Sequence, residues 1–384
     1  MNDINRYKAR LSVAAFFFLN GLCFASWASR IPAIQEHLAL SEAALGSLLL
    51  CIPVGALISL PIAGWLVTRS GSRPVMILAA VLYAVFLFCI GQAGNPWILG
   101  FVLFLFGFAG NLGNISVNTQ AVSVEALYGR SIMSSFHAVW SLAGLAGAGI
   151  GTLMVTLRTP PSQHFMMVAG AALLLVILSF RNALPHTKTA GGHQPIFVKP
   201  DKTLISLGII AFCCMICEGT MYDWSGVYFA KVVEADPGKV TIGYTAFTAA
   251  TTSGRFIGDW LTKRFGILGM LKGSGILAAS GLLLSVAFPT VWFSALGFFL
   301  VGLGVSTVIP LVYSEAGRSK TMSQSMALAA VSTFGFFGFL LGPPLIGFIA
   351  QASGLRISFL FIAVMASMIT VMAVRKSRGT NGGK

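Results

Sequence analysis

Apolar stretches of about twenty residues, the helical length that crosses a bilayer core of ~30 Å, recur along the chain, starting near Leu11, Ala43, Val75, Trp97, Met133, His164, Leu204, Val240, Ile267, Val291, Met326 and Ile357. Turn and charge signals such as Gln92 to Pro96 and Arg158 to Gln163 separate them. The pattern predicts an all-α integral membrane protein with twelve transmembrane helices, and an even number places both termini on one side. The first run continues into Trp27-Ala28-Ser29-Arg30 without a cleavage-site pattern, so it is expected to remain as a span rather than to be a signal peptide.

Composition agrees with this reading, since 56% of the 384 residues are hydrophobic and 9% charged, against about 25% charged in soluble domains. The net charge of +14 is not a nucleic-acid signal, because no basic helix or aromatic-interleaved patch stands outside the apolar runs. With both termini inside, nineteen of the 25 Lys and Arg fall in cytoplasmic segments, while Arg30, Arg158, Lys231, Lys239 and Arg356 fall outside. That asymmetry follows the positive-inside rule and explains the charge as an orientation signal, with the lipid bilayer as partner.

Pro185 to Lys202 is polar, with three Lys, two His and three Pro. It divides the chain into an expected six-helix bundle over 1–184, a cytoplasmic linker over 185–202 and a second bundle over 203–384. The halves repeat: Leu66, Arg69 and Gly71 recur 195 residues later as Leu261, Arg264 and Gly266, Gly147 and Gly342 share the offset, and Trp27 and Trp224 are 197 apart. A common offset near half the chain length indicates duplication.

The run Gly64-Trp-Leu-Val-Thr-Arg69-Ser-Gly71-Ser-Arg73 resembles the signature loop of the major facilitator superfamily, and Trp260 to Gly266 is a weaker second copy. Ala25 to Ile34, Glu218 to Ser225 and Leu341 to Gly347 resemble bacterial inner-membrane permeases of the YbjJ type, distantly similar to fucose permeases. The resemblance implies two six-helix bundles, a central cavity lined by helices one, four, seven and ten, and secondary transport by alternating access. One departure stands out, because the family loop carries an Asp where this chain has Thr68, with Lys263 at the corresponding second-half place. The family uses that carboxylate in an interdomain charge relay, which makes Gly64, Arg69, Gly71, Arg73, Arg255, Asp259 and Arg264 gating candidates. Asp259, four residues from both Arg255 and Lys263, is a partial substitute for the missing carboxylate. Arg69 and Arg73 are either gate residues or topology charges.

Glu218 and Asp223 lie inside the run from Thr203 to Ala230. An ionisable group at membrane depth costs at least a few kcal/mol, so it marks a functional site unless it lies near the aqueous end or pairs for structure. Desolvation disfavours ionised Glu218, which makes it the candidate proton carrier. Asn111, Asn114 and Asn118 share one helical face, which must meet protein or water; it is either cavity wall or interhelical glue. Asn20, Trp27 and Arg30 on the first helix, with Tyr222 and Trp224 on the seventh, would complete polar and aromatic walls for a small solute, sugar or sugar-acid-like. Arg30 either meets an anionic group or Asp223, or snorkels to the surface, and Trp27 is alternatively an interface anchor. His137 is a proton relay or a packing residue. Gly144, Gly147, Gly149 and Gly151 resemble the glycine-rich fifth-helix motif of antiporters, without its proline.

No Gly-Lys-Ser/Thr loop supports an ATP motor. No enzyme activity, cofactor or metal is expected; Cys214-x-x-Cys217 lacks a companion His or Cys pair, and all six cysteines read as small apolar residues. The expected function is proton-coupled transport of a small polar solute by a monomer. The alternatives are efflux of hydrophobic drugs or metabolites, and a receptor or assembly subunit on the same fold.

Overall fold

The computed structural model describes residues 6–129, 132–185, 202–319 and 324–381, in which helices dominate and no strand occurs. The helices are α1 (Arg6–Ala28), α2 (Ile31–His37), α3 (Glu42–Leu49), α4 (Cys51–Ser70), α5 (Ser72–Gly91), α6 (Pro96–Tyr128), α7 (Met133–Thr156), α8 (Pro161–Ser179), α9 (Lys202–Lys231), α10 (Ile242–Ala287), α11 (Val291–Val305), α12 (Val308–Ala316), α13 (Gln324–Ser353) and α14 (Leu355–Asn381). Local chemistry places their ends. Asn95 Oδ1 accepts from Ile98 N at 2.9 Å to cap α6, with Pro96 in the first turn. At the other end of α6, Gly129 takes φ 62° as its C-terminal stop.

Among the described residues eleven helical stretches are long and apolar enough to cross a membrane. The stretch expected from Val240 is instead the first arm of α10, a 46-residue helix that departs from helical geometry at Gly266 (φ 69°, ψ 165°). This arm is less apolar than the other spans because it carries hydroxyls and Arg255. Thr248, Thr251 and Thr252 are nonetheless buried. Each bonds back to the carbonyl four residues earlier, so none of these three hydroxyls is stranded.

The chain divides into two compact units, Met1–Leu40 with Leu48–Gly191, and Ser41–Ser47 with Gly192–Lys384. Ser41–Ser47 counts with the second unit, where Glu42 pairs with Lys231 at 2.6 Å. Residues 186–201 of the expected linker lie outside the described residues.

Each unit uses the same internal device. In the first, Gly107 on α6 lies so close to α4 that a Cβ would collide with the Ile52 carbonyl; in the second, Gly302 on α11 stands the same way to the Phe247 carbonyl on α10. Both partners are 195 residues apart, as are the glycines. Small residues let helix backbones approach where lipid offers no hydrophobic gain from burying larger ones. Gly71, between α4 and α5, has φ 84° and ψ 157°, close to the values at Gly266. The repeat seen in residue identities is therefore also a repeat of backbone conformation.

Candidate functional site

In the second unit α9 supplies Glu218 and Tyr222, four residues apart and hence on one face. The first arm of α10 brings Arg255 Nη2 to 3.2 Å from Glu218 Oε1, and the Tyr222 hydroxyl donates to the same carboxylate. Tyr222 is held edge-on by Tyr244 and Phe247, with ring centroids 6.2 and 5.2 Å away. The side chain of Arg255 is 35% exposed and that of Glu218 12%. The cation is thus more exposed than the carboxylate. Asp223 is buried on a neighbouring face of α9, and among the described residues it forms no ion pair or hydrogen bond. Trp224 is fully buried, and its Nε1 has no partner.

Arg255 thus has a carboxylate partner on α9; the side chain of Asp259, its expected partner on the same helix, lies outside the described residues. The Cys214 and Cys217 sulfurs approach the Val305 and Ile362 carbonyls at 3.8 Å, and both cysteines are free.

In the first unit the three asparagines separate. Asn111 Nδ2 donates to the Ala56 carbonyl (3.0 Å) and to Ser59 Oγ (2.7 Å), joining α6 to α4. Asn118 Nδ2 donates to Asn114 Oδ1 at 2.6 Å, so those two form a local amide pair. Asn20 of α1 lies against α6, since a Cβ on Gly113 would sit 3.5 Å from its Oδ1. Asn111 is thus a brace between helices and stands apart from the Asn114–Asn118 pair. His137 packs edge-on to Phe17 at 5.3 Å. Glu125, shortly before it, accepts from the Ile132 and Met133 backbone N–H groups and serves the N-terminus of α7.

Arg30 is 3% exposed and does not snorkel. Its Nε donates to His164 Nδ1 at 3.2 Å, and its Nη2 donates to the Thr159 carbonyl. Burial lowers its guanidinium to about 10, so it remains a cation at neutral pH. Trp27, one turn earlier, is fully buried with an unpartnered Nε1, which removes it from the interface-anchor role.

The signature loop is ordered locally. Arg69 stacks over Trp65 at 5.2 Å and Arg264 over Trp260 at 5.9 Å, the same pair 195 residues apart. Thr68 Oγ1, where the family loop has Asp, donates to the Gly64 carbonyl at 2.8 Å. Arg73 reaches the Arg181 carbonyl at 3.4 Å. Nothing lies within 4 Å of a Cβ built on Gly64.

Two residues that the sequence does not single out carry much of this order. His164 fixes Arg30. Gln120, fully buried, donates to Ser72 Oγ (2.8 Å) and the Leu184 carbonyl (3.1 Å) and accepts from Leu184 N (3.0 Å), tying α6 to the start of α5. An amide or imidazole inside an apolar run is the available signal, but it names no partner.

The family model of the Major Facilitator Superfamily matches residues 13–321. An uncharacterized MFS-type transporter of Yersinia pestis is 32% identical over 95% of this chain and 94% of its own length. A gentisate transporter of Corynebacterium glutamicum is 24% identical over 89% of this chain and 81% of its own. The crystal structure of the nucleoside transporter NupG has a TM-score of 0.76 at 16% identity, covering 97% of this chain and 99% of that one, and so shares the fold. The chain belongs to the major facilitator superfamily, a superfamily of membrane transporters rather than enzymes.

Proposed function

We propose that this member of the superfamily is a proton-coupled secondary transporter of a small polar solute, sugar- or organic-acid-like. It works as a single chain of twelve spans in a bacterial inner membrane, with both termini cytoplasmic. The Glu218–Arg255 pair carries the reading: a buried carboxylate is balanced by a cation that solvent and solute reach more readily than the carboxylate does. When a polar or anionic group of the solute engages Arg255, Glu218 loses its counter-charge. A buried anion deprived of its cation is costly, so the carboxylate takes up a proton and releases it when Arg255 returns. The sequence similarity to a gentisate transporter supports an organic-acid solute. The amides of Asn20, Asn114 and Asn118 supply hydrogen-bonding groups of the kind such a solute needs.

A thermal-shift screen of the purified protein against sugars, sugar acids and aromatic acids identifies a ligand, because a ligand stabilises the folded state that binds it. Flux of that ligand into proteoliposomes under an imposed proton gradient then tests transport. Binding without flux for any hit would instead support a receptor or assembly role. A screen that answers only to hydrophobic cations would support drug efflux.

A further inference from the structure

Within the second unit a crevice of about 420 Å³ opens between the two arms of α10, a size that falls in the ~300 to 1,000 Å³ range of ligand pockets. Ile257, Leu261 and Phe265 of the first arm and Ile276 of the second line it, with Leu303 and Gly304 of α11 also contributing to its wall. Ile257, Phe265 and Ile276 are exposed. The space exists because glycine replaces a side chain along it: a Cβ on Gly273 of the second arm would meet nothing within 4 Å.

Arg264 stands at the end of the crevice where the arms meet; it is exposed and has no ion-pair partner among the described residues, while Lys263, two residues from both Leu261 and Phe265, lies on the opposite face of the arm. Arg264 is held over the rings of Trp260 (5.9 Å) and of Phe265 (5.7 Å), itself a crevice residue. A guanidinium laid on aromatic rings presents a planar fork to phosphate oxygens. An apolar slot that ends in a stacked guanidinium has the charge pattern of one ligand class: an amphiphile with a phosphate at one end and an alkyl chain at the other.

We propose that this crevice is a binding site for an anionic phospholipid, with an acyl chain between the arms of α10 and the phosphate on Arg264. Lipid tails are as apolar as the crevice, so insertion gains nothing from leaving water. The slot sets where the chain lies, and Arg264 selects the headgroup. The proposal needs the chain to span a bilayer and is independent of which solute it moves.

Native mass spectrometry of the delipidated, detergent-solubilised full chain tests it, with phosphatidylglycerol and phosphatidylethanolamine of identical acyl chains as probes. The wild type is expected to retain phosphatidylglycerol about fivefold more than phosphatidylethanolamine, the preference that one basic side chain near an anionic surface confers. Arg264→Gln should remove the discrimination. Gly273→Leu should lower retention of both lipids by filling the slot, and Ile276→Trp provides a second obstruction if the Leu variant does not fold. Equal retention of the two lipids by the wild type, or unchanged phosphatidylglycerol retention in the obstructed variants, overturns the proposal. So does displacement of the lipid by glycerol 3-phosphate, which would mark a free-phosphate site.

Discussion

Arg255 reaches from the first arm of α10 to within 3.2 Å of Glu218 on α9, across 37 residues of chain. The pair makes each partner's substitution informative. Glu218→Gln keeps size and an acceptor but does not titrate, so it is expected to abolish proton-driven accumulation while sparing folding and downhill exchange. Accumulation with the wild-type pH dependence in that variant would remove Glu218 from coupling and leave Asp223 as the next candidate.

Removing the cation has a different consequence. Arg255→Ala leaves a buried carboxylate unbalanced, which costs up to about 3–5 kcal/mol at fully buried sites and less here because Arg255 is partly solvated. The variant's thermal midpoint in detergent should fall, and adding Glu218→Gln should recover part of the loss. A double variant as unstable as the sum of the two singles would show that the residues act independently.

Gly71 and Gly266 share a positive-φ conformation with extended ψ, which costs a residue with a Cβ about 1–3 kcal/mol. Gly71→Ala and Gly266→Ala are therefore each expected to lower thermal stability by a similar amount, although they lie in different units. A clear drop in one and none in the other would break the structural repeat at that turn.

Arg69→Ala removes the cation stacked on Trp65 without touching a buried group. The variant should fold and bind ligand as the wild type does but transport more slowly, through an altered balance of conformations. Wild-type flux in proteoliposomes would reduce Arg69 to a topology charge.

Arg30 donates through two nitrogens of one planar group, to His164 and to the Thr159 carbonyl. Lys keeps the charge but lacks the fork. Arg30→Lys should therefore destabilise the protein by about 1–3 kcal/mol, the cost of an unsatisfied buried partner. An unchanged unfolding midpoint would show that charge alone holds the site.

The topology is testable directly. Reporters fused after Lys384 or within Gly191 to Gln194 are expected to be cytoplasmic, and a tag near Asp236 should be labelled from the periplasm. A periplasmic C-terminus would contradict the proposed count of twelve spans.

Much of the fold is legible in the sequence because a membrane span is a one-dimensional signal. Its length and apolarity identify it without knowledge of its neighbours. The duplication is legible for a related reason: Gly71 and Gly266 or Gly107 and Gly302 stand where backbone geometry or close approach excludes a Cβ, so the constraint leaves its mark on single residues. The first arm of α10 is less legible, since its threonines satisfy their hydroxyls within the helix and so sit buried while reading as polar.

The site divides along the same physical line. That Glu218 and Asp223 are candidates follows from the cost of a charge at depth, which is a property of each residue in its own run. Which group answers the charge depends on helices packed side by side, and hydropathy carries no information about the azimuth at which two spans meet. Asn111 shares a helical face with Asn114 and Asn118, yet it bonds to α4, 52 and 55 residues away. Arg30 finds His164 across 134 residues, and Arg255 finds Glu218 on another helix. Apolar runs, the repeat spacing and the carboxylates inside those runs are one-dimensional features, readable before any helix has packed. The tertiary structure alone decided the partners, because hydrogen bonds and ion pairs depend on distances of a few ångströms that arise only once the helices have packed.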